Sequence, residues 1–506
     1  MKYTLAVKPI TFLLLTALIA GLGLSTIPAR SVLAATIGVT TFADELNTDG
    51  DCSLREAIRA ANNDVATDAC PAGIGADTIN LPAGSYLLTL GGMGEDNNAA
   101  GDLDIRMDLT IVGAGRAVTT IDGNGLDRVF DIRLNTTDTF VKISDVTIRG
   151  GFPGTDEGSG IRVRFGALTL DTVRVTDNTG AQAIYVWDSL TLANSRIPNN
   201  LGMGGIFVRD GGEATIRNST ISGNTATAGY AGGITNQGTL TVINSTISGN
   251  STAGSGGGIL NFQAGLTVST ASLYNVTISN NTADNDNFLG GEGGGISVFE
   301  GILSAENTII AGNFDNSATL QRPDCYGELT SLGYNLIQNT SGCTITGTLT
   351  GNLVGFNAGL GPLQDNGGPT FTHALLVNSP AIDAGAPGSG CQDQNNVVLG
   401  IDQRGYLRPV DGDGLPGAIC DLGAYEYNSP GTPTPTFTPF PQPPTNTPTP
   451  THTAAPPTAT NTPVISPTQT STTVAGPSAT PTASATPGPS PTPAVDVRLF
   501  VPLILH

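Results

Sequence analysis

Apolar residues along this chain recur in pairs two positions apart, followed at an odd interval by a third, and the whole unit repeats. Aligned on the position between them, the anchors are Asp145, Thr172, Asn194, Asn218, Asn244, Asn275 and Asn307, at separations of 27, 22, 24, 26, 31 and 32 residues. Each anchor has apolar or small residues four and two positions before it and an aliphatic one three after it. Examples are Leu190, Leu192 and Ile197, or Leu240, Val242 and Ile247. Spacing by two is strand periodicity. The step of five to the third apolar position is odd, which predicts a turn or bulge at the anchor if both strands are to face one interior. A further strand is predicted at a glycine-led isoleucine between anchors, at Ile161, Ile184, Ile206, Ile234, Ile259 and Ile296. No amphipathic helical window separates these strands, so a sheet with crossover helices is excluded. An all-β repeat of this length predicts the coils of a parallel β-helix, a solenoid, over residues 77–350.

The heptapeptide "NSTISGN" occurs twice, at Asn218–Asn224 and Asn244–Asn250. In stacked coils, equivalent side chains form ladders ~4.8 Å apart. Asn194, Asn218, Asn244, Asn275 and Asn307 are therefore expected to form a structural ladder. Asparagine tolerates a left-handed backbone, bonds its own main chain and can bond the next asparagine. This reading is architectural, in preference to a catalytic or glycan-acceptor meaning. "CSLREAIRAANND", at Cys52–Asp64, is the one convincing amphipathic helix beyond the leader, with Leu54, Ala57, Ile58 and Ala61 on one face. It fits a cap over the open N-terminal coil, whose edge would otherwise pair with other molecules.

The two ends differ from this body. Lys2 and Lys8 precede an apolar run that ends in "VLAA" at Val32–Ala35, which reads as a cleavable export signal over residues 1–35 and not as a retained anchor. The signal takes three of the 21 basic residues and none of the 42 acidic ones, leaving a net charge of −24. Such a surface repels a phosphate backbone, so nucleic acid is excluded as a partner. Lysine chemistry is nearly excluded as well, since Lys142 alone remains. Six cysteines, an even number, suit an oxidising compartment. Of the 15 pairings open to them, Cys52 with Cys70, Cys325 with Cys343 and Cys391 with Cys420 close the shortest loops. Zinc is the poorer reading, because no CxxC is present. Residues 428–494 turn to Pro, Thr, Ser and Ala and read as a disordered stalk, able to reach roughly 200 Å as polyproline II. A short apolar tail, 495–506, reads as a sorting signal.

Three motifs carry a resemblance. "DGDCSLREAIRAAN", with Cys70 and "ADTINLPAGSY", resembles the CSLREA domain of bacterial secreted proteins, here covering 36–76. "LQDNGGPTFTHALLVNSPAIDAG", with "GIDQRGYLRP" and "CDLGAYEY", resembles the choice-of-anchor domain of bacterial surface proteins, here 351–427. The rungs between are similar to the right-handed parallel β-helix repeats of pectate-lyase-like enzymes, adhesins and polymorphic outer membrane proteins. The resemblance implies export and surface display, a right-handed solenoid, and no catalytic residue to transfer. The chain departs from it in lacking both an LPxTG motif and a long apolar anchor.

Candidate chemistry is sparse. Asp188 and Asp210 each follow a repeat isoleucine by four residues, so equal spacing stacks them on adjacent rungs at the ~5 Å that suits paired-carboxylate hydrolysis. Arg174 and Arg196 form a second such pair, and both pairs read equally well as solvated residues or as a face around the lone Trp187. Calcium is suggested by "DELNTDGDC" at Asp44–Cys52 and by "DGDG" at Asp411–Gly414, neither with a complete loop ending in glutamate. The function expected is that of a secreted or surface-displayed adhesin, or a structural protein binding matrix or polysaccharide. A polysaccharide lyase or glycoside hydrolase is the alternative. Its partners would be an extracellular glycan or protein, with the cell envelope reached through stalk and tail.

Overall fold

The computed structural model describes residues 34–133, 140–287, 290–318, 320–387, 391–415 and 417–430. The export signal up to residue 33, the stalk from residue 431 and the tail lie outside the described residues.

Strands coil as the hydrophobic pattern predicts. One rung runs through Ile206–Val208, Glu213–Arg217, Thr220–Ser222 and Thr225–Ala226, and the next through Ile234–Asn236, Thr239–Ile243, Thr246–Ser248 and Ser251–Thr252. Each strand pairs in parallel with its counterpart on the neighbouring rung, which generates four faces, taken here in that order. Inside, Leu190, Ala214, Leu240, Ala271 and Leu303 stack in one row on the second face, none more than 3% exposed. Ile197, Ile221, Ile247, Ile278 and Ile310 line the third face from within at 0% exposure. Each such aliphatic contributes about 1.5–3 kcal/mol by leaving water.

The odd step of five is absorbed at the anchors, which adopt left-handed backbones: φ is 50° at Asn194 and Asn218, 45° at Asn244, 56° at Asn275 and 48° at Asn307. The rest of the heptapeptide then resolves residue by residue. The Ser219 hydroxyl donates to Arg217 O at 2.7 Å and accepts from Ser195 N at 3.2 Å on the preceding rung. Thr220 faces outward, Ile221 faces the core, and Gly223 makes a second left-handed corner at φ 64°. Asn224 then turns inward, at 0% exposure.

That last residue carries the continuous amide ladder. Asn178, Asn200, Asn224, Asn250, Asn281 and Asn313 each donate Nδ2 to the Oδ1 of the next at 2.9–3.0 Å, ending on Asp324 Oδ1. The same oxygens accept the backbone N–H of the preceding rung, so every corner is bonded twice. The expected ladder through the anchors is present only as one long contact, Asn218 Nδ2 to Asn194 Oδ1 at 3.5 Å. At the left-handed corner the anchor side chains project away from the core, so most find partners elsewhere.

Those partners belong to the C-terminal region. Asn244 Nδ2 donates to Ile401 O at 2.9 Å, Asn275 Nδ2 to Gln392 O at 3.0 Å, and Asn307 Oδ1 accepts from Ala386 N at 3.3 Å. Beside them the outward threonines of the third face form a second contact row. Thr246 donates to Gln403 Oε1 at 2.6 Å, Thr220 to Phe371 O at 2.6 Å, and Thr277 accepts from Ala424 N at 3.0 Å. The motifs that resemble a choice-of-anchor domain supply the buried charges of this region: Asp402 with Arg404 at 2.6 Å and Arg408 with Glu426 at 2.8 Å.

The helix Leu54–Asn63 is capped by a reciprocal Ser53–Glu56 box, and its apolar face joins the first coils. The solenoid already begins ahead of it, since Thr36–Gly38 pairs in parallel with Asp77–Leu81. All three disulfides close the shortest loops, Cys52–Cys70, Cys325–Cys343 and Cys391–Cys420. Among the described residues no helix is long and apolar enough to cross a membrane.

Candidate functional site

Alternation along the first face sends every second side chain outward. Ile161, Ile184 and Ile206 point to the core, while Arg162, Tyr185 and Phe207 turn the other way in register and are covered by neighbouring segments, none more than 7% exposed. Tyr185 and Phe207 stack with ring centroids 4.9 Å apart, and Tyr230 meets Phe207 edge-on at 5.6 Å. At the adjoining corner Trp187 lies 6.4 Å from Tyr185. Its ring sits under two guanidinium groups, Arg209 at 4.0 Å and Arg164 at 5.8 Å. Burial, together with Glu157, pushes the Tyr185 phenol well above its ordinary value, so it stays a neutral donor. Further along the same face a shallow apolar hollow of about 300 Å³ is lined by Leu260, Phe262 and Phe299.

Two polar atoms at this corner, Trp187 Nε1 and Asp210 Oδ1, are buried without a hydrogen-bond partner, and so is Arg164 Nε beside them. Leaving such groups unpaired costs about 1–3 kcal/mol each unless water or a ligand completes them. An aromatic ring next to unpaired donors and acceptors suits a sugar, whose ring faces are apolar and whose rim is hydroxylated.

Equal spacing placed Asp188 and Asp210 on one ladder, and the structure corrects this. Register holds from Ile184–Ile206 to Val186–Val208, then slips by two residues, so that Ser189 faces Glu213. The extra turn Arg209–Gly212 carries Asp210 out of line with Asp188. Asp188 accepts from Gly166 N at 2.8 Å, while Asp210 lies against the Gly265 backbone. The two carboxylates thus meet different neighbours, Gly166 and Gly265. Arg174 and Arg196 are true register neighbours, but on the third face, away from Asp188 and Asp210.

The acidic loops fare differently. Carboxylate oxygens of Glu45, Asp49 and Asp51 converge within 4.8 Å, and Asp51 converges likewise with Glu56 and Asp68. Glu56 stands twelfth counted from Glu45, with Asn47 third, Asp49 fifth and Gly50 sixth, which is the spacing of a calcium loop that closes on a glutamate. Reading from Asp44 and stopping at Cys52 hid that terminal glutamate. Asp51 Oδ1 is buried and lacks a partner, so the donor set fits a divalent cation. In that case calcium at about ten times its dissociation constant raises stability by about 1–2 kcal/mol. Thermal unfolding with and without chelator checks this, and Asp51→Asn should remove the difference. At the second loop Asp383 joins Asp411 and Asp413, and burial raises the Asp383 carboxyl. In a further trio, Asp96 is paired with Arg133 and Asp131 with Arg162, which grips both its oxygens at 3.0 and 2.6 Å, while Asp104 accepts from Asn98 N at 2.7 Å.

Residues 131–358 match the family model described as a right handed beta helix region. No curated protein sequence matches the chain. Among solved structures it is similar to pectate lyase Pel9A, at 14% identity over 78% of this chain and 96% of that one, TM-score 0.41. It is also similar to the A-module of mannuronan C-5 epimerase AlgE6 of Azotobacter vinelandii, at 19% identity over 62% and 91%, TM-score 0.40. The AlgE4 A-module of the same organism aligns at 15% identity over 63% and 97%, TM-score 0.31. The family match and the coiling of the strands define the class: an all-β protein whose body is a right-handed parallel β-helix with a short N-terminal capping helix.

Proposed function

We propose that this is an exported, surface-displayed β-helix protein that binds extracellular polysaccharide along its first face, with the stalk and tail connecting it to the cell envelope. The observation that carries the reading is Trp187, clasped by Arg164 and Arg209, with its indole N–H and the nearby Asp210 oxygen left unpaired. Three disulfides and a strongly acidic surface agree with life outside the cytoplasm. Affinity electrophoresis of residues 36–430 against a panel of neutral and acidic polysaccharides tests the proposal. Retardation by at least one of them should weaken about tenfold in Trp187→Ala, since a stacked aromatic contributes on the order of 1–2 kcal/mol. Retention that Trp187→Ala leaves untouched would refute the site.

The rival reading, a lyase or hydrolase, is decided in the same panel. Chain cleavage by the wild type that vanishes in the Asp188→Asn, Asp210→Asn double variant would replace binding by catalysis.

A further inference from the structure

On the third face the stacking of rungs brings Arg174 beside Arg196, direct register partners at the rung spacing of ~4.8 Å. Arg116, from the turn ahead of Thr119, joins them: its guanidinium donates to Asn194 O at 2.9 Å and to Pro369 O. The C-terminal region roofs the group, with Phe371 flat against the Arg196 guanidinium at 3.5 Å. Three positive charges thus share one half-buried slot between the solenoid and the stretch Pro369–Phe371.

Among the described residues, no carboxylate lies within 4.0 Å of any of the three guanidinium groups, although the chain carries twice as many acidic as basic residues. The Nε–H groups of Arg174 and Arg196 are both buried without an acceptor. Arg174 has only a long contact to Thr176 Oγ1, at 3.5 Å. Burial and the two neighbouring arginines press Arg196 down to about 10, with Asp365 opposing from a distance. Like charges gathered at a partly dry place, with the forks of Arg174 and Arg196 largely open while Arg116 spends its own on two carbonyls, are destabilising unless something negative completes them. A guanidinium fork is matched bidentately by a planar carboxylate or by two oxygens of a sulfate.

We infer that Arg174, Arg196 and Arg116 form an oxyanion site that takes the carboxylate or sulfate groups of an acidic polysaccharide, with Phe371 as its aromatic wall. Two adjacent rungs offer two forks in line with the solenoid axis, so an oligosaccharide with repeated anionic groups engages both where a free ion engages one. The polysaccharide half of this inference rests on the binding proposed above, while the oxyanion half stands on the arginines alone.

Isothermal titration at constant ionic strength separates the two, with sodium sulfate, trigalacturonate and the neutral maltotriose as probes. The wild type is expected to bind trigalacturonate saturably near or below about 1 mM, sulfate at least about tenfold more weakly, and maltotriose not at all at this site. Arg174→Gln with Arg196→Gln should lose about tenfold or more toward trigalacturonate, and Arg174→Gln alone serves if the double variant fails to fold. Trp187→Ala should retain this binding, so a failure of the aromatic face leaves the slot standing. Absence of saturable binding by either anion, or binding undiminished in folded arginine variants, overturns the inference. Sulfate binding without trigalacturonate binding overturns its polysaccharide half.

Discussion

Replacing Asn250 by alanine should lower stability by about 3–5 kcal/mol. Its Oδ1 accepts from both Asn224 N at 3.1 Å and Asn224 Nδ2 at 2.9 Å, and its Nδ2 donates to Ile221 O at 3.0 Å and Asn281 Oδ1 at 2.9 Å. Alanine removes the side-chain partner of Asn224 N and Ile221 O and cuts the amide ladder, while Asn224 Nδ2 keeps Ile197 O and Asn281 Oδ1 keeps Asn250 N; unpaired buried polar groups cost about 1–3 kcal/mol each. Relaxation of neighbouring rungs recovers part of that. The contrast is Asn194→Gly, at the other corner of the same repeat. Glycine accepts the left-handed backbone freely, and the side chain there makes only a bond to Asp171 at 3.0 Å and a long one to Asn218. A loss of about 1 kcal/mol or less is expected. Urea unfolding followed by circular dichroism measures both, and equal losses at the two positions would contradict the assignment of the ladder.

The contrast also shows what the sequence could disclose. Strands, core and coil were legible because a period of two, repeated at near-constant intervals, has one structural meaning. The amide ladder was not, because a polar residue in such a pattern reads as outward unless something turns it. Here the turning device is the second left-handed corner at Gly223 and Gly249, φ 64° and 66°, one residue before Asn224 and Asn250. Docking of the C-terminal region was out of reach for a different reason. Thr246 and Gln403 meet across 157 residues, with no shared periodicity to announce it. The Asp188–Asp210 alignment failed where a two-residue insertion follows Val208, since spacing counted from one strand says nothing beyond the next corner.

Stability should also rise by about 2 kcal/mol as pH falls from 8.5 to 6.5, against the usual habit of acidic proteins. The cause is a group of carboxyls buried at the N-terminal coils. Burial raises Asp102 to about 9, with Asp104 adding to it and Arg128 opposing, and raises Asp104 to about 7, opposed by a bond from Asn98 N. An acid whose folded pKa lies above its unfolded one holds a proton in the fold that the unfolded chain has released. Its contribution is complete below the unfolded value of 3.8 and is lost as pH climbs through the folded value, here through about 7 and about 9. Arg128 Nη1, 3.0 Å from Asp102, is what keeps the rise at Asp102 from being larger. Burial of His373 sets the lower limit of the window, because a depressed histidine loses stability as pH falls below its ordinary 6.5. Glu95 and Asp156 are held low by backbone and arginine donors against the push of burial, so they act only in the acid range below. Asp104→Asn keeps an acceptor for Asn98 N but cannot ionise. It should raise stability at both pH values, slightly more at pH 8.5, and so flatten the slope only modestly, the rest belonging to Asp102. Chemical unfolding at the two pH values measures this, and a slope of opposite sign in the wild type would mean that these carboxyls are ionised in the fold, Asp102 by Arg128.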